Sequence, residues 1–511
     1  MSADFPFLSV LTAAPLVGAV VVAFMPRSRP ELAKRVALGW SLAVFVLAVF
    51  MWVSFEVGGD RLQFRESYPW IPNWGVNFTF AADGIALVML ALIALLVPLV
   101  ILASWHDADK SKRSVPVYFA LLLLLECTMI GVFAAADIFL FYVFFEVMLV
   151  PMYFLIGSFG GHQRQYAAVK FFLYSLVGGL FMLAAVIGLW VVGGRTFDWE
   201  SLTQIDMTTG TERWLFLGFF IAFAIKAPFF PFHTWLPDAG GAAPAGSAAL
   251  LVGVMDKVGT FGILRYCLPL FPEASKWFAP YALTLAVIGI IYAALLAIGQ
   301  NDLKRLVSYT SIAHFGFIGV GIFAFTTQAG TGAVLYMVNH GLATGLLFLV
   351  VGMLVARRGS ALVSDFGGAG KLVPVLAGVL FFAGLASLAL PGTAPFVSEF
   401  LVLIGTFTVN KPVAIIATAG IILAAAYVLW MVQRTTQGTL NPALSGVEGM
   451  RRDLNLREKV VVTPLILLLL LLGFYPKPVT DVINPAIQAT MQDVGKTDPA
   501  PTVATVQEAG R

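Results

Sequence analysis

Nine ionisable side chains of this sequence lie in runs that are otherwise apolar enough for a lipid bilayer. Lys226 sits in AIKAPFFPFHTWLPDA (224–239), a strongly apolar stretch interrupted by Pro228 and Pro231. An ammonium there is costly unless it faces a cavity or a partner, so it marks an ion or proton pathway. A helix can break at that depth only where protein or water satisfies the freed backbone groups. Glu126, Glu146, Lys170, Asp256, Lys257, His314, His340 and Glu399 interrupt other apolar runs. Helix association needs only small residues and hydroxyls, so a polar axis for proton transfer is the economical reading. His314 and His340 suit it because imidazole has an unperturbed pKa of about 6.5. Each residue also has a plainer reading. Lys226 could snorkel to the headgroups, a lone buried histidine can simply be hydrogen-bonded, and Glu126 and Lys170 fit a structural or near-interface place equally well. Asp256 and Lys257 are consecutive and do not share a helix face, so Asp256 can face a different neighbour altogether.

The elements that carry these residues must be membrane helices. Of the residues, 59% are hydrophobic and 12% charged, with mean hydropathy +0.90, which defines a polytopic membrane protein. Runs of the length needed to cross a hydrocarbon core predict an all-α chain of about fourteen transmembrane helices, near 6–25, 36–55, 83–104, 115–135, 138–158, 167–192, 213–233, 245–265, 278–299, 303–325, 331–355, 373–406, 412–432 and 460–476. Positive charge is retained on the cytoplasmic side. Odd-numbered loops hold 18 of the 31 Lys and Arg, among them Lys34, Arg35, Lys110, Lys112, Arg113, Lys304, Arg305 and Arg357, against 10 in the termini and even-numbered loops. Both termini are therefore expected to face outward. The first apolar run has no basic residue before it and no small-residue cleavage site, and reads as a retained helix.

Net charge of +3 follows from loop asymmetry and implies no nucleic-acid partner. Cys127 and Cys267 are isolated in apolar sequence, against zinc or iron–sulfur ligation. No phosphate-binding Gly-rich loop with a following Lys-Ser/Thr occurs, and the glycines at 316, 319 and 321 sit inside a span, where they permit close packing. From 433 to 459 the chain runs polar, with Asp453 as the expected N-cap of a short interfacial helix. The tail after Lys477 is polar, with Pro499 and Pro501 near its end, and is expected to be largely disordered. No separate soluble domain fits.

A second break is visible in LPGTAPFVSEF (390–400), within a span too long for one straight crossing. Pro228 and Pro231 before Phe232 are echoed by Pro391 and Pro395 before Phe396, each set near one charge, Lys226 or Glu399. Spans 4–8 and 9–13 then read as two five-helix units of opposite orientation, with spans 7 and 12 broken, the inverted-repeat arrangement of many transporters. The organisation expected is 1–114 for the first three helices, 115–265 and 278–432 for the repeats, 433–476 for the inward loop and last span, and 477–511 for an outward tail.

These motifs resemble the antiporter-like membrane subunits of respiratory complex I, NADH:quinone oxidoreductase, and specifically the subunit M (chain 4) family, over nearly the whole chain. FFEVMLVPMYF (144–154) is similar to the fifth-helix motif, with Glu146 the glutamate and Pro151 favouring subunit M. AIKAPFFPFHTWLPDA resembles the seventh-helix signature, and VGVMDKVGTFG (252–262) the eighth, placing Lys257 as the central lysine. SIAHFGFIG (311–319), YMVNHG (336–341) and DFGGAGK (365–371) resemble the second half, and VSEF (397–400) puts Glu399 where sibling subunits typically have lysine. The short stretch after the last span disfavours subunit L. One departure stands out: after LPDA the family commonly continues His-x-Glu-Ala-Pro-Thr, whereas this chain has Gly240, Gly241, Ala242, Ala243, Pro244 and Ala245.

The resemblance implies a proton-translocating subunit of a bacterial plasma-membrane complex. It implies no cofactor in this chain, flavin and iron–sulfur clusters in partner subunits, and other complex I subunits, especially antiporter-like ones, as neighbours. Glu146, Lys226, Lys257, His314, His340 and Glu399 are the implied proton-carrying residues. A carboxylate about 6 Å from Lys226, at an effective dielectric of about 20, favours the ammonium by about 2.8 kcal/mol, so moving Glu146 away pushes the proton towards Lys257, the histidines and Glu399. The competing readings are a chain of a multi-subunit sodium/proton antiporter, a membrane-bound hydrogenase pump chain, and a passive scaffold subunit.

Overall fold

The computed structural model describes residues 5–109 and 113–499. The loop charges Lys110 and Lys112, and Pro501 of the tail, lie outside the described residues. The longer elements, in chain order, are α1 (Phe7–Ala23), α2 (Pro30–Ser54), β1 (Gln63–Ile71), β2 (Val76–Ala82), α3 (Gly84–Ala103), α4 (Val115–Ala134), α5 (Ile138–Phe159), α6 (Arg164–Val192), α7 (Thr209–Lys226), α8 (Trp235–Ala242) and α9 (Ala245–Leu270). They continue with α10 (Pro272–Ile298), α11 (Leu303–Phe323), α12 (Thr327–Arg358), α13 (Pro374–Ser387), α14 (Ala394–Val409), α15 (Lys411–Thr436), α16 (Leu456–Phe474) and α17 (Lys477–Asp493).

Among the described residues, 10 helices are long and apolar enough to cross a membrane, or 11 if α16 and α17, bent by 67°, count as one span. The shorter apolar helices α1, α13 and α14 fall below that length, and α7 carries Glu212, Arg213 and Lys226. Helix starts follow from local chemistry: Asp83, Asp137 and Asp302 accept from the backbone N–H groups of Ala86, Leu140 and Arg305 at 2.8, 2.9 and 2.9 Å, satisfying donors that a helix leaves free. Proline near the first helical position opens α2, α10 and α13, where its missing N–H costs nothing.

Burial divides the helices into two classes. The most apolar stretches of α9, α11 and α12 are 100%, 94% and 89% buried, whereas those of α2, α6 and α15 are 28%, 39% and 39% buried. The second class exposes large aliphatic side chains such as Val53, Leu180 and Ile422, as a lipid-facing perimeter requires. Within the bundle α10 packs along α11, α12 lies between α11 and α14, and α7 contacts both α6 and α9.

Three expectations change. The chain is not purely helical, because β1 and β2 form an antiparallel hairpin closed at Gly75 (φ +68°), a left-handed position that suits glycine. Ala136 N–H donates to Thr79 O at 2.9 Å and Asn77 N–H to Asp137 at 3.0 Å, so the hairpin anchors the start of α5. Second, the tail from Lys477 to Asp493 is an ordered helix. Val479, Val482, Ile483, Ala486, Ile487, Thr490 and Met491 form one buried face at helical spacing, packed on α3 and α12. Third, Asp453 is not an N-cap for its own segment: it accepts from Val375 and Leu376 N–H at 2.7 and 2.9 Å, at the start of α13. Asn455 and Glu458 cap α16 reciprocally, a capping box.

Both Pro-containing breaks separate helices. Between α7 and α8 the freed carbonyl of Ile225 accepts the Trp235 indole N–H at 2.9 Å, and the Phe230–Pro231 peptide is cis. Between α13 and α14 the chain passes through Ala389 (φ +60°) and Gly392 (φ +93°), and Asn339 of α12 donates to Ala394 O at 2.7 Å. These side chains supply what water cannot at that depth.

Candidate functional site

Lys226 closes the last turn of α7 and is wholly buried, so it does not snorkel. Among the described residues its Nζ has no hydrogen-bond partner, and it lies 5.3 and 5.6 Å from the ring centroids of Phe145 and Phe171, within cation–π range. Glu146, next to Phe145 on α5, has its Oε1 buried without a partner. Gly179 of α6 packs on that carboxyl so closely that a Cβ there would collide with it. Among the described residues Glu146 and Lys226 form no ion pair within 4.0 Å; they meet only through longer-range attraction.

Lys257 occupies the middle of α9, where the backbone widens into π turns at Leu251–Met255 and Ile263–Cys267, a distortion common at functional positions. Its Nζ contacts the carbonyl of Val252 and lies 2.7 Å from His340 Nδ1 on α12. The His340 and His314 ring centroids are 5.2 Å apart, joining α12 to α11. His314 Nε2 is 3.4 Å from the Tyr427 hydroxyl on α15, and its ring lies 5.9 Å from that of Tyr336. Tyr336 in turn donates to Glu399 Oε2 at 3.0 Å, reaching α14. Lys257, His314, His340 and Glu399 are all at least nine-tenths buried, so the structure brings four of the six expected residues into one buried run. Lys226 and Glu146 lie outside this run, on α7 and α5.

Two members of that run carry no charge and were not expected. Tyr336 lies four residues before His340, on the same helical face, and that spacing was the available signal. Tyr427 is isolated in an apolar stretch and gave none. Among the described residues several buried polar atoms in and beside the run lack protein partners: Glu146 Oε1, Lys226 Nζ, both Asp256 oxygens, His340 Nε2 and His314 Nδ1. Native interiors pair nearly all such groups, and others of this kind, among them both oxygens of Glu126 and the guanidinium nitrogens of Arg265, lie elsewhere.

The remaining charges have different places. Lys170 and Arg305 both pair with Asp238, at 2.7 and 2.5 Å, beside an open cavity of about 530 Å³ lined in part by His162, Gly241, Asp302 and Lys304. The Gly240–Gly241 departure borders this cavity. Glu126 is fully buried with neither oxygen partnered among the described residues, and nothing in the structure explains it. Cys127 and Cys267 are both free and buried. Among the described residues no group of three or more His, Cys, Asp or Glu side chains could hold a metal ion.

Residues 135–424 match the family described as NADH:quinone oxidoreductase/Mrp antiporter, TM. The NADH-quinone oxidoreductase subunit M of Mycobacterium tuberculosis is 47% identical over 98% of this chain and 97% of its own length. A chain of respiratory complex I from Thermus thermophilus superposes with a TM-score of 0.86 at 31% identity, covering 96% of this chain and 100% of that one. A chain of the Mrp complex from a Dietzia species gives 0.83 at 20% identity, with 96% and 100% covered, a likeness of fold alone. Full-length similarity at this level means that the chain belongs to the NADH:quinone oxidoreductase/Mrp antiporter family and, within it, to the family of subunit M.

Proposed function

We propose that this chain is the proton-translocating membrane-arm subunit of an NADH:quinone oxidoreductase. It moves protons outward while partner subunits bearing flavin and iron–sulfur clusters oxidise NADH and reduce quinone. The observation that carries the reading is the buried run from Lys257 through His340, His314 and Tyr336 to Glu399, a sequence of groups that can each accept and release a proton. Glu146 and Lys226 form the switch. When Glu146 approaches, the ammonium is favoured; when it recedes, desolvation drives the proton towards Lys257. Outward transfer costs about 2.3 kcal/mol per charge for each 100 mV, and this energy arrives from the redox partners through conformational or electrostatic change.

In this reading the protein crosses a bacterial plasma membrane fourteen times with both termini outward, α7/α8 and α13/α14 each counting as one broken crossing. Residues 115–265 and 278–432 are the inverted repeats. The support is the pairing of each break with one ionisable side chain, Lys226 or Glu399. The sodium/proton antiporter reading shares the fold, but Glu399 and the closer sequence relatives favour the first. The experiment is to replace Lys226 with Ala and, separately, Glu146 with Gln, and to measure NADH-driven proton pumping by the assembled complex. Unimpaired pumping in both refutes the switch, and sodium-dependent exchange without NADH dehydrogenase partners favours the antiporter.

A further inference from the structure

Between Lys226 on α7 and Lys257 on α9 the proposed route has a gap, and Asp256 stands in it. Consecutive residues of a helix point about 100° apart, and here they serve different neighbours. Lys257 reaches across to His340 of α12. Gly259, three residues after Asp256 and therefore on its face, lies against the end of α7, where an added Cβ would meet Ala227 N and Phe223 O at 2.5 Å. The face bearing Asp256 is thus turned to the turn that ends in Lys226.

Three other buried carboxylates of this protein have structural work, which Glu126 lacks. Asp83 caps α3 and lies 3.1 Å from Arg265, Asp137 caps α5, and Glu458 pairs with Arg357. Asp256 is fully buried and among the described residues neither oxygen has a partner, so it does not pin the fold in the way these three do. The π turn ends on it, with Asp256 N–H donating to Leu251 O at 3.1 Å, an extra residue that rotates the helix at this point.

We infer that Asp256 carries the proton between Lys226 and Lys257, one carboxylate oxygen serving each. In the first step an N–H bond of the Lys226 ammonium breaks and an O–H bond forms on Asp256, leaving a neutral amine and a neutral carboxylic acid. In the second that O–H breaks and an N–H forms on Lys257, whose own proton has already passed to His340. Charge and protons balance at each step, and the carboxylate is regenerated.

The inference rests on the translocation reading, and the test separates the two. In the whole complex, checked for full subunit composition, Asp256→Asn and Asp256→Leu retain size but carry no proton, so each slows NADH-driven pumping about tenfold or more. Asp256→Glu, which titrates, restores most of it. Normal pumping in an assembled Asn or Leu variant overturns the inference, as does equal loss in the Glu variant, which would mark a requirement for shape. Lys226→Ala is the control: pumping lost there but kept in the Asp256 variants removes Asp256 alone, whereas pumping kept in all of them removes the translocation reading as well.

Discussion

The Tyr336 hydroxyl donates to Glu399 Oε2 at 3.0 Å, which ties the face of α12 that carries His340 to the helix that follows the second break. No other side-chain hydrogen bond to Glu399 exists among the described residues. A hydrogen bond to a charged group is worth about 1.5–3 kcal/mol, so Tyr336→Phe is expected to slow proton pumping about tenfold or more, read in reconstituted vesicles. Tyr427→Phe, which breaks only a 3.4 Å contact to His314, has a smaller effect. Equal, wild-type rates in both variants would remove the tyrosines from the route.

Gly179→Ala tests the seat of Glu146. The added methyl collides with the end of a flexible carboxyl side chain, not with backbone, so the carboxyl swings aside and the helices stay in place. Pumping should fall while the thermal midpoint of the complex stays near its starting value.

Gly259→Val has the opposite character. Its Cβ would meet the backbone of α7 at 2.5 Å, which cannot give way without separating two buried helices, an overpacking cost of about 1–3 kcal/mol. Thermal unfolding of the purified complex should begin at a lower temperature, and a midpoint equal to the wild type would mean that α7 and α9 are not in rigid contact.

Glu458→Ala removes the partner of Arg357, which it holds at 2.8 and 2.6 Å through both oxygens, each side chain at most 10% exposed. An abandoned buried charge costs about 3–5 kcal/mol. The yield and heat resistance of the complex drop, while the pumping rate per assembled complex is unchanged because this pair makes no contact with the buried run from Lys257 to Glu399.

Much of this was legible from the chain, and the parts that were not share a cause. Apolar runs announce helices because lipid demands them, and charges inside those runs announce a site because lipid forbids them. Prolines at 228, 231, 391 and 395 mark the breaks. The hairpin of β1 and β2 and the helix α17 escaped because each is built in mixed polar sequence, where a face of Val482, Ile483 and Ile487 is diluted by its polar neighbours. DLNLRE offers two residues able to cap, and only the fold decides that Asn455 caps α16 while Asp453 turns to α13. Tyr336 and Tyr427 were invisible as members of the buried run because aromatic residues normally fill membrane interiors. Asp256 was visible, but its direction depends on a π turn that no sequence pattern disclosed.

The helix α17 gives the molecule a joint of a different physical kind. Inside a bilayer, lipid tails are as apolar as leucine, so little drives two spans together except packing and polar contacts. A helix with one oily and one wettable side, laid across the beginnings of α3 and α12 and fastened by Arg61–Asp493 at 2.7 Å and Thr331–Asn484 at 2.6 Å, is held by water's exclusion instead. Urea and cold should therefore loosen this clasp in the manner of a water-soluble protein, before they disturb the crossings it binds together.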